Sequence, residues 1–433
     1  MPYVTQGPQN VTLPDMEPGD LVRQSILVLA LVILAAKFGG ELMIRLGQPA
    51  VLGELLAGVL LGNLGLFGVT LLNPLRDNMT LRIFAEVGAI LLLFETGIES
   101  DLAQLLAVGW SSLLVALLGV AAPLALGYFV SLQIFPNANW LTHVFVGGTL
   151  TATSVGITAR VLKDLRKNKT NEAQIILGAA VVDDVIGLIV LAAVGGAATA
   201  AAAGATSQIG WDSIAWTAAK AILFLIAAVL GGRYVSRYMF RFAARLKTSG
   251  AVLAVCIPFC LLLAAAAAAV GLAPIVGAFA AGVVIEQIHY APLIERGGAP
   301  LQELLSPLTE VVTPAFFVLM GFLVDLKSFA SMDVLGFAVL VTIAAIVGKQ
   351  ICALGVLERR VRRLAIGVGM IPRGEVGLIF AGLGRTIRVQ DQPILSNSAY
   401  SSLVLMVILT TVITPPLLNL TLKKPKAEAH TPS

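Results

Sequence analysis

Residues 178–196 read GAAVVDDVIGLIVLAAVGG, with Asp183 and Asp184 in the middle of the run. No other charge occurs between Ala173 and Gly196. A stretch this long and this apolar belongs in hydrocarbon rather than in a water-soluble core, since about 20 apolar residues span a bilayer. At the centre of a membrane helix one Asp costs about 2.5–3.5 kcal/mol on insertion. Neighbouring helical residues point about 100° apart, so the two carboxylates can serve different partners. The segment is stable in lipid only if both are matched. The rest of the chain is therefore read for what matches them.

The whole sequence has the same character. It has 433 residues, 58% of them hydrophobic and 12% charged, with a mean hydropathy of +0.91. Soluble domains run near 25% charged, so the composition excludes a soluble enzyme or binding module and indicates an all-α polytopic membrane protein. Cys256 and Cys260 lie one helical turn apart in one apolar run and Cys352 lies in another. No histidine stands near them, and they read as core thiols. His143, His289 and His430 are scattered. No resident metal or cofactor is expected, only transported ions.

Thirteen apolar segments can be marked: roughly 22–44, 49–66, 82–98, 108–132, 142–162, 173–200, 213–238, 249–270, 273–289, 304–325, 333–356, 362–384 and 397–421. The expected organisation is an extracytoplasmic tail over 1–21, a transmembrane domain over 22–422 and a cytoplasmic tail over 423–433. The N-terminal stretch carries Asp15, Glu17 and Asp20 but no basic leader, so it does not read as a cleavable signal. Basic residues cluster after the odd-numbered segments: Arg45; Lys163, Arg166, Lys167 and Lys169; Arg241, Arg245 and Lys247; Arg296; Arg359 and Arg360; Lys423, Lys424 and Lys426. The other side holds mainly Arg23, Arg76, Arg82, Lys327, Arg385 and Arg388. The positive-inside rule then puts the N-terminus outside and the C-terminus in the cytoplasm, as an odd segment count requires.

Two segments make poor continuous helices. The fifth contains VFVGGTLTATSVGITARVL (144–162), with Gly147, Gly148 and Gly156 around Thr151, Thr153 and Ser154. The twelfth contains AIGVGMIPRGEVGLIFAGLG (365–384), with Pro372, Arg373, Gly374 and Glu375 in succession. Glycine and proline at this density interrupt a helix and free backbone groups near the membrane midplane. Segments seven apart run in opposite directions. An inverted pair of broken segments is the main sequence pointer to a secondary transporter's binding site.

The remaining intramembrane charges have two readings each. Lys349, in AAIVGKQICALGVL, either snorkels to the headgroups or pairs with one aspartate. Arg373 and Glu375, at i and i+2, meet only loosely, so each caps freed backbone or meets another helix. Glu95, in ILLLFETGIESDL, faces a cytoplasmic funnel or approaches the interface, whereas Glu54 and Glu86 read as packing or interfacial charges. Thr151, Thr153 and Ser154 are either packing hydroxyls or oxygen ligands for a small cation. An intramembrane aspartyl protease also uses two membrane aspartates, but needs them facing from separate helices. A passive channel would lack proton-coupled, saturable exchange.

The segments LGQPAVLGELLAGVLLG (46–62), LLLFETGIESDL (91–102), TATSVGIT (151–158), VVDDVIGL (181–188), FFVLMGFLVDL (316–326), VGK (347–349) and PRGEVGLI (372–379) occur in an order that resembles one family. It is the monovalent cation–proton antiporters, in the branch of bacterial sodium–proton antiporters and glutathione-gated potassium efflux proteins. The resemblance runs from about Leu46 to Leu420. It implies an inverted-repeat fold with two crossed discontinuous helices, a core bundle (about 108–200 and 333–421) moving against a dimerisation panel, and a homodimer in the bacterial inner membrane. It further implies that Asp184 binds the cation and alternately the proton, and that Asp183 pairs with Lys349. Thr151, Thr153 and Ser154 would lie beside the ion, and Arg373 and Glu375 would be stabilising core charges. An Asp-Asp pair with a lysine goes in this family with electrogenic exchange. The potassium efflux branch usually carries a nucleotide-binding domain that this sequence lacks, which favours Na+ or Li+ over K+ as cargo.

Overall fold

The computed structural model describes residues 18–68, 79–99, 109–164, 166–167, 169–202, 211–243, 245, 250–285, 300–359, 361–389 and 392–422. Most of the two expected tails, His289, His430, Arg76, Lys247, Arg296, Arg360 and the last residues of the ninth segment lie outside the described residues.

The helices are α1 (Pro18–Arg45), α2 (Ala50–Gly62), α3 (Met79–Glu99), α4 (Trp110–Ile134), α5 (Trp140–Thr149), α6 (Val155–Asp164), α7 (Asn171–Ala202) and α8 (Trp211–Ala243). They continue with α9 (Ala251–Ala269), α10 (Pro274–Val284), α11 (Leu301–Phe322), α12 (Met332–Ile351), α13 (Arg363–Gly369), α14 (Glu375–Thr386) and α15 (Asn397–Leu422). Helices α5 and α6 are two halves of one segment, as are α13 and α14. With each pair counted once, the described residues hold thirteen segments. Eight of the helices are long and apolar enough to cross a membrane. The first helix begins at Pro18, earlier than residue 22, because proline and an acid such as Asp20 both suit a helix's first turn. A two-residue hairpin, Arg388–Val389 paired with Gln392–Pro393, follows α14 and carried no sequence signal.

Two sets of helices pack separately. In the first, α2 lies between α1 and α11, and α3 against α10 and α11. Here backbones touch: a Cβ added at Gly58, Gly62 or Gly321 would run into a carbonyl of the facing helix. Small residues allow that approach where lipid supplies no hydrophobic drive to pack. In the second set, α4 packs on α5, α7 and α12, while α15 packs on α12, α13 and α14. Helix α8 stands against both α7 and α10. The large exposed side chains sit mainly on outer helices, as with Phe38 of α1 and Trp216 of α8.

Candidate functional site

The site is built on the two broken segments of the second set. Leu150–Ser154 joins α5 to α6, and Met370–Gly374 joins α13 to α14, and neither link continues the helix. The links cross and bond to each other. Ser154 donates its amide to the Pro372 carbonyl at 2.9 Å. Thr153 donates Oγ1 to the Met370 carbonyl at 3.2 Å, and Thr158 to that of Gly369 at 2.7 Å. Carbonyls freed by the breaks thus find partners, without which each would cost several kcal/mol in a dry interior. Gly374 permits the crossing, since a Cβ there would lie 2.8 Å from the Ser154 Cβ.

Arg373 serves the same end. It is fully buried and donates Nη1 to the Met370 and Ile371 carbonyls at 3.2 and 3.1 Å, and Nη2 to the Ala345 carbonyl of α12 at 3.2 Å. Thr411 of α15 donates to Arg373's own carbonyl at 2.9 Å. Both readings of Arg373 meet in one side chain, which caps freed backbone of its own link and reaches a carbonyl of another helix. Its planar fork reaches three carbonyls from two separate nitrogens, whereas a lysine would present its three donors from a single point.

Asp183 faces the α5–α6 link. It accepts the Thr153 amide at 2.9 Å and lies 3.2 Å from Lys349 Nζ through both carboxylate oxygens. Both side chains have 0% exposure. Lys349 therefore pairs rather than snorkels. Space for its ammonium comes from Gly119 of α4, where an added Cβ would stand 3.4 Å from Nζ.

Asp184 is different. It is 5% exposed and, among the described residues, has no hydrogen bond or ion pair. Its electrostatic neighbours are Glu375, Asp183 and Lys349. Since Lys349 is taken up by Asp183, Asp184 is left beside a second acid with no base of its own among the described residues. The hydroxyls of the α5–α6 link, whose Thr153 amide reaches Asp183, are set as acceptors. Thr151 donates to the Gly148 carbonyl at 2.8 Å and Thr153 to Met370, which leaves lone pairs on both oxygens for a cation. Ser154 is equally buried.

Glu95 stands away from this cluster, on α3 beside Thr309 and Glu310 of α11. Glu99, which the sequence reading passed over, lies within electrostatic reach of both Glu95 and Glu375. Its one sequence signal was the i, i+4 spacing from Glu95. Among the described residues no group of three or more His, Cys, Asp or Glu side chains is arranged to hold a metal.

Residues 27–424 match the family model described as "Sodium/hydrogen exchanger, transmembrane". The chain belongs to the sodium/hydrogen exchanger family. It is 35% identical to the high-affinity Na(+)/H(+) antiporter NhaS3 of Synechocystis sp., over 93% of this chain and 91% of that protein. It is 34% identical to the Na(+)/H(+)-K(+) antiporter GerN of Bacillus cereus, over 91% and 95% of the two chains. The structure of the sodium proton antiporter MjNhaP1 from Methanocaldococcus jannaschii superposes with a TM-score of 0.67 at 13% identity, covering 92% and 96% of the two chains. That likeness is one of fold. Membership makes the chain a multi-pass membrane protein of a transporter family.

Proposed function

We propose that the chain is a secondary active antiporter exchanging Na+ or Li+ for protons by alternating access, with Asp184 as the shared site. The observation that carries this is the asymmetry of the two aspartates: Asp183 is neutralised by Lys349, while Asp184 is buried without a hydrogen-bond or ion-pair partner among the described residues. A single unpaired carboxylate cannot hold a proton and a cation together, so the two compete, which is the physical requirement for exchange. In the same reading α4–α7 and α12–α15 move against the other helices. The protein lies in an inner membrane with its N-terminus outside, and a homodimer is the working form.

The chemistry follows from charge. A cation arriving at Asp184 displaces its proton and is ligated by that carboxylate, by the Thr151, Thr153 and Ser154 oxygens and by freed carbonyls. The cation also attracts Asp183, which weakens the hold on Lys349. When Lys349 then gives up a proton, two protons leave for one cation and one net charge moves. Arg373 keeps the crossing intact throughout, because its partners are backbone carbonyls rather than the reacting acids.

The test uses purified protein in liposomes with an imposed proton gradient and an internal pH dye. Sodium, lithium and potassium are added separately, with and without a clamped potential. Voltage-sensitive dissipation by Na+ or Li+ that disappears in Asp184→Asn is expected. Exchange retained in Asp184→Asn would refute the site. A response to K+, as GerN's name includes, would keep the site and change the cargo.

A further inference from the structure

The two sets of helices are tied together at one end, where α2, α11 and α14 finish and α15 begins. Arg385 of α14 donates Nη1 to the Leu323 carbonyl at 2.7 Å. Its guanidinium lies 5.2 Å from the centre of the Tyr400 ring of α15. Tyr400, fully buried, donates its hydroxyl to the Met320 carbonyl at 2.6 Å. Ser401 Oγ accepts the Asp325 amide at 2.9 Å. The gripped segment, Met320–Leu326, is held from the far side by Asn63 at the end of α2. That side chain donates to the Val324 carbonyl at 2.9 Å and accepts the Leu326 amide at 3.0 Å. Met320 also sits on the stretch of α11 locked to α2 through Gly58, Gly62 and Gly321.

We infer that Arg385, Tyr400 and Ser401 are positioning residues of the transport cycle, an outer latch that closes the non-cytoplasmic end while the ion site faces the cytoplasm. The inference rests on the antiporter reading above and on the basic-residue count that places Arg385 and Arg388 outside. Its physical basis is the kind of acceptor used. The carbonyls of Met320 and Leu323 belong to the C-terminal turn of α11 and the residue beyond it, where helix carbonyls have no partner within the helix. Such groups must bond to something, and at the membrane surface water can replace Tyr400 and Arg385. The bonds are therefore reversible at modest cost, unlike those of Arg373 in the dry crossing. Asn63 keeps the gripped segment with the α2–α11 unit when the latch opens.

The discriminating variant is Tyr400→Phe, which keeps the ring under Arg385 and deletes one donor. Apparent KM for Na+ is measured at each face, using right-side-out and inside-out vesicles. Losing one such bond shifts the inward–outward population about fivefold. The ratio of outer to inner KM should fall by about that factor, and further in Tyr400→Phe/Ser401→Ala. A fall in kcat or yield with an unchanged ratio would overturn the latch, since a merely structural role predicts that result. In a second arm, Asp325→Cys/Ser401→Cys is oxidised and the cross-link verified by mass spectrometry. Exchange should stop and return on reduction. Undiminished exchange in cross-linked protein would overturn the latch. Failure of the unsubstituted protein to exchange any cation is a separate result, and counts against the antiporter reading.

Discussion

Replacing Lys349 with Met is the most informative single perturbation of the buried pair. Methionine keeps most of the side-chain volume beside Gly119 and Cys352 and removes only the ammonium. Asp183 would then keep one donor, the Thr153 amide at 2.9 Å, at a position with no exposure to water. Removing one partner of a fully buried ion pair costs about 3–5 kcal/mol, because the survivor is left charged and uncompensated. The apparent Tm in detergent should fall by several degrees. The double variant Asp183→Asn/Lys349→Met should recover most of the loss, since replacing both members of a buried pair is close to neutral. A coupling energy of about 2 kcal/mol or more is expected from the double-mutant cycle. Transport gives a second readout. If Lys349 releases the second proton, Lys349→Met exchanges without net charge, and a clamped potential no longer changes its rate. A single variant as stable as wild type, with charge movement intact, would refute the pairing as described.

Other expectations follow from the same geometry. Asp184→Asn should lose exchange while keeping its Tm within about a degree, because Asp184 makes no hydrogen bond among the described residues; a large drop in Tm would mean that the side chain is structural. Thr153→Val removes the donor to Met370 and an oxygen beside the ion, and should raise the cation KM while costing about 1 kcal/mol of stability; an unchanged KM would remove Thr153 from the ligand set. In Arg373→Lys the Met370 carbonyl keeps the Thr153 donor and Ala345 lies within α12, so the Ile371 carbonyl is the one exposed to losing its partner, at about 1–3 kcal/mol, and yield and Tm should fall before selectivity changes. If proton and cation compete for Asp184 alone, apparent KM for Na+ should rise towards about tenfold per pH unit on the acid side, with Vmax unchanged. A Vmax that falls while KM stays constant would show separate sites.

The sequence by itself determined the class, the number of segments and the position of the breaks, because each rests on local chemistry. Long apolar runs have one home, basic residues mark one face of the membrane, and Pro372–Gly374 interrupts its segment; in the fifth segment Gly147, Gly148 and Gly156 stay helical and the break falls between them, at Leu150–Ser154. It also marked Asp183, Asp184, Lys349 and Arg373, since charge in hydrocarbon is costly enough to need a reason. It could not assign partners. That Asp183 rather than Asp184 takes Lys349 depends on helix rotation, which is set by α7 packing against α4 and the crossing. Arg373 could have met Glu375 or the backbone, and only the packing of its own link against α12 brought the Ala345 carbonyl within reach beside those of Met370 and Ile371. Glu99 and the cluster of Arg385, Tyr400 and Ser401 look like ordinary residues near helix ends in one dimension. The partners of Arg385, Tyr400 and Ser401 lie more than 60 residues away in the chain, and those contacts exist only once the two sets of helices are packed.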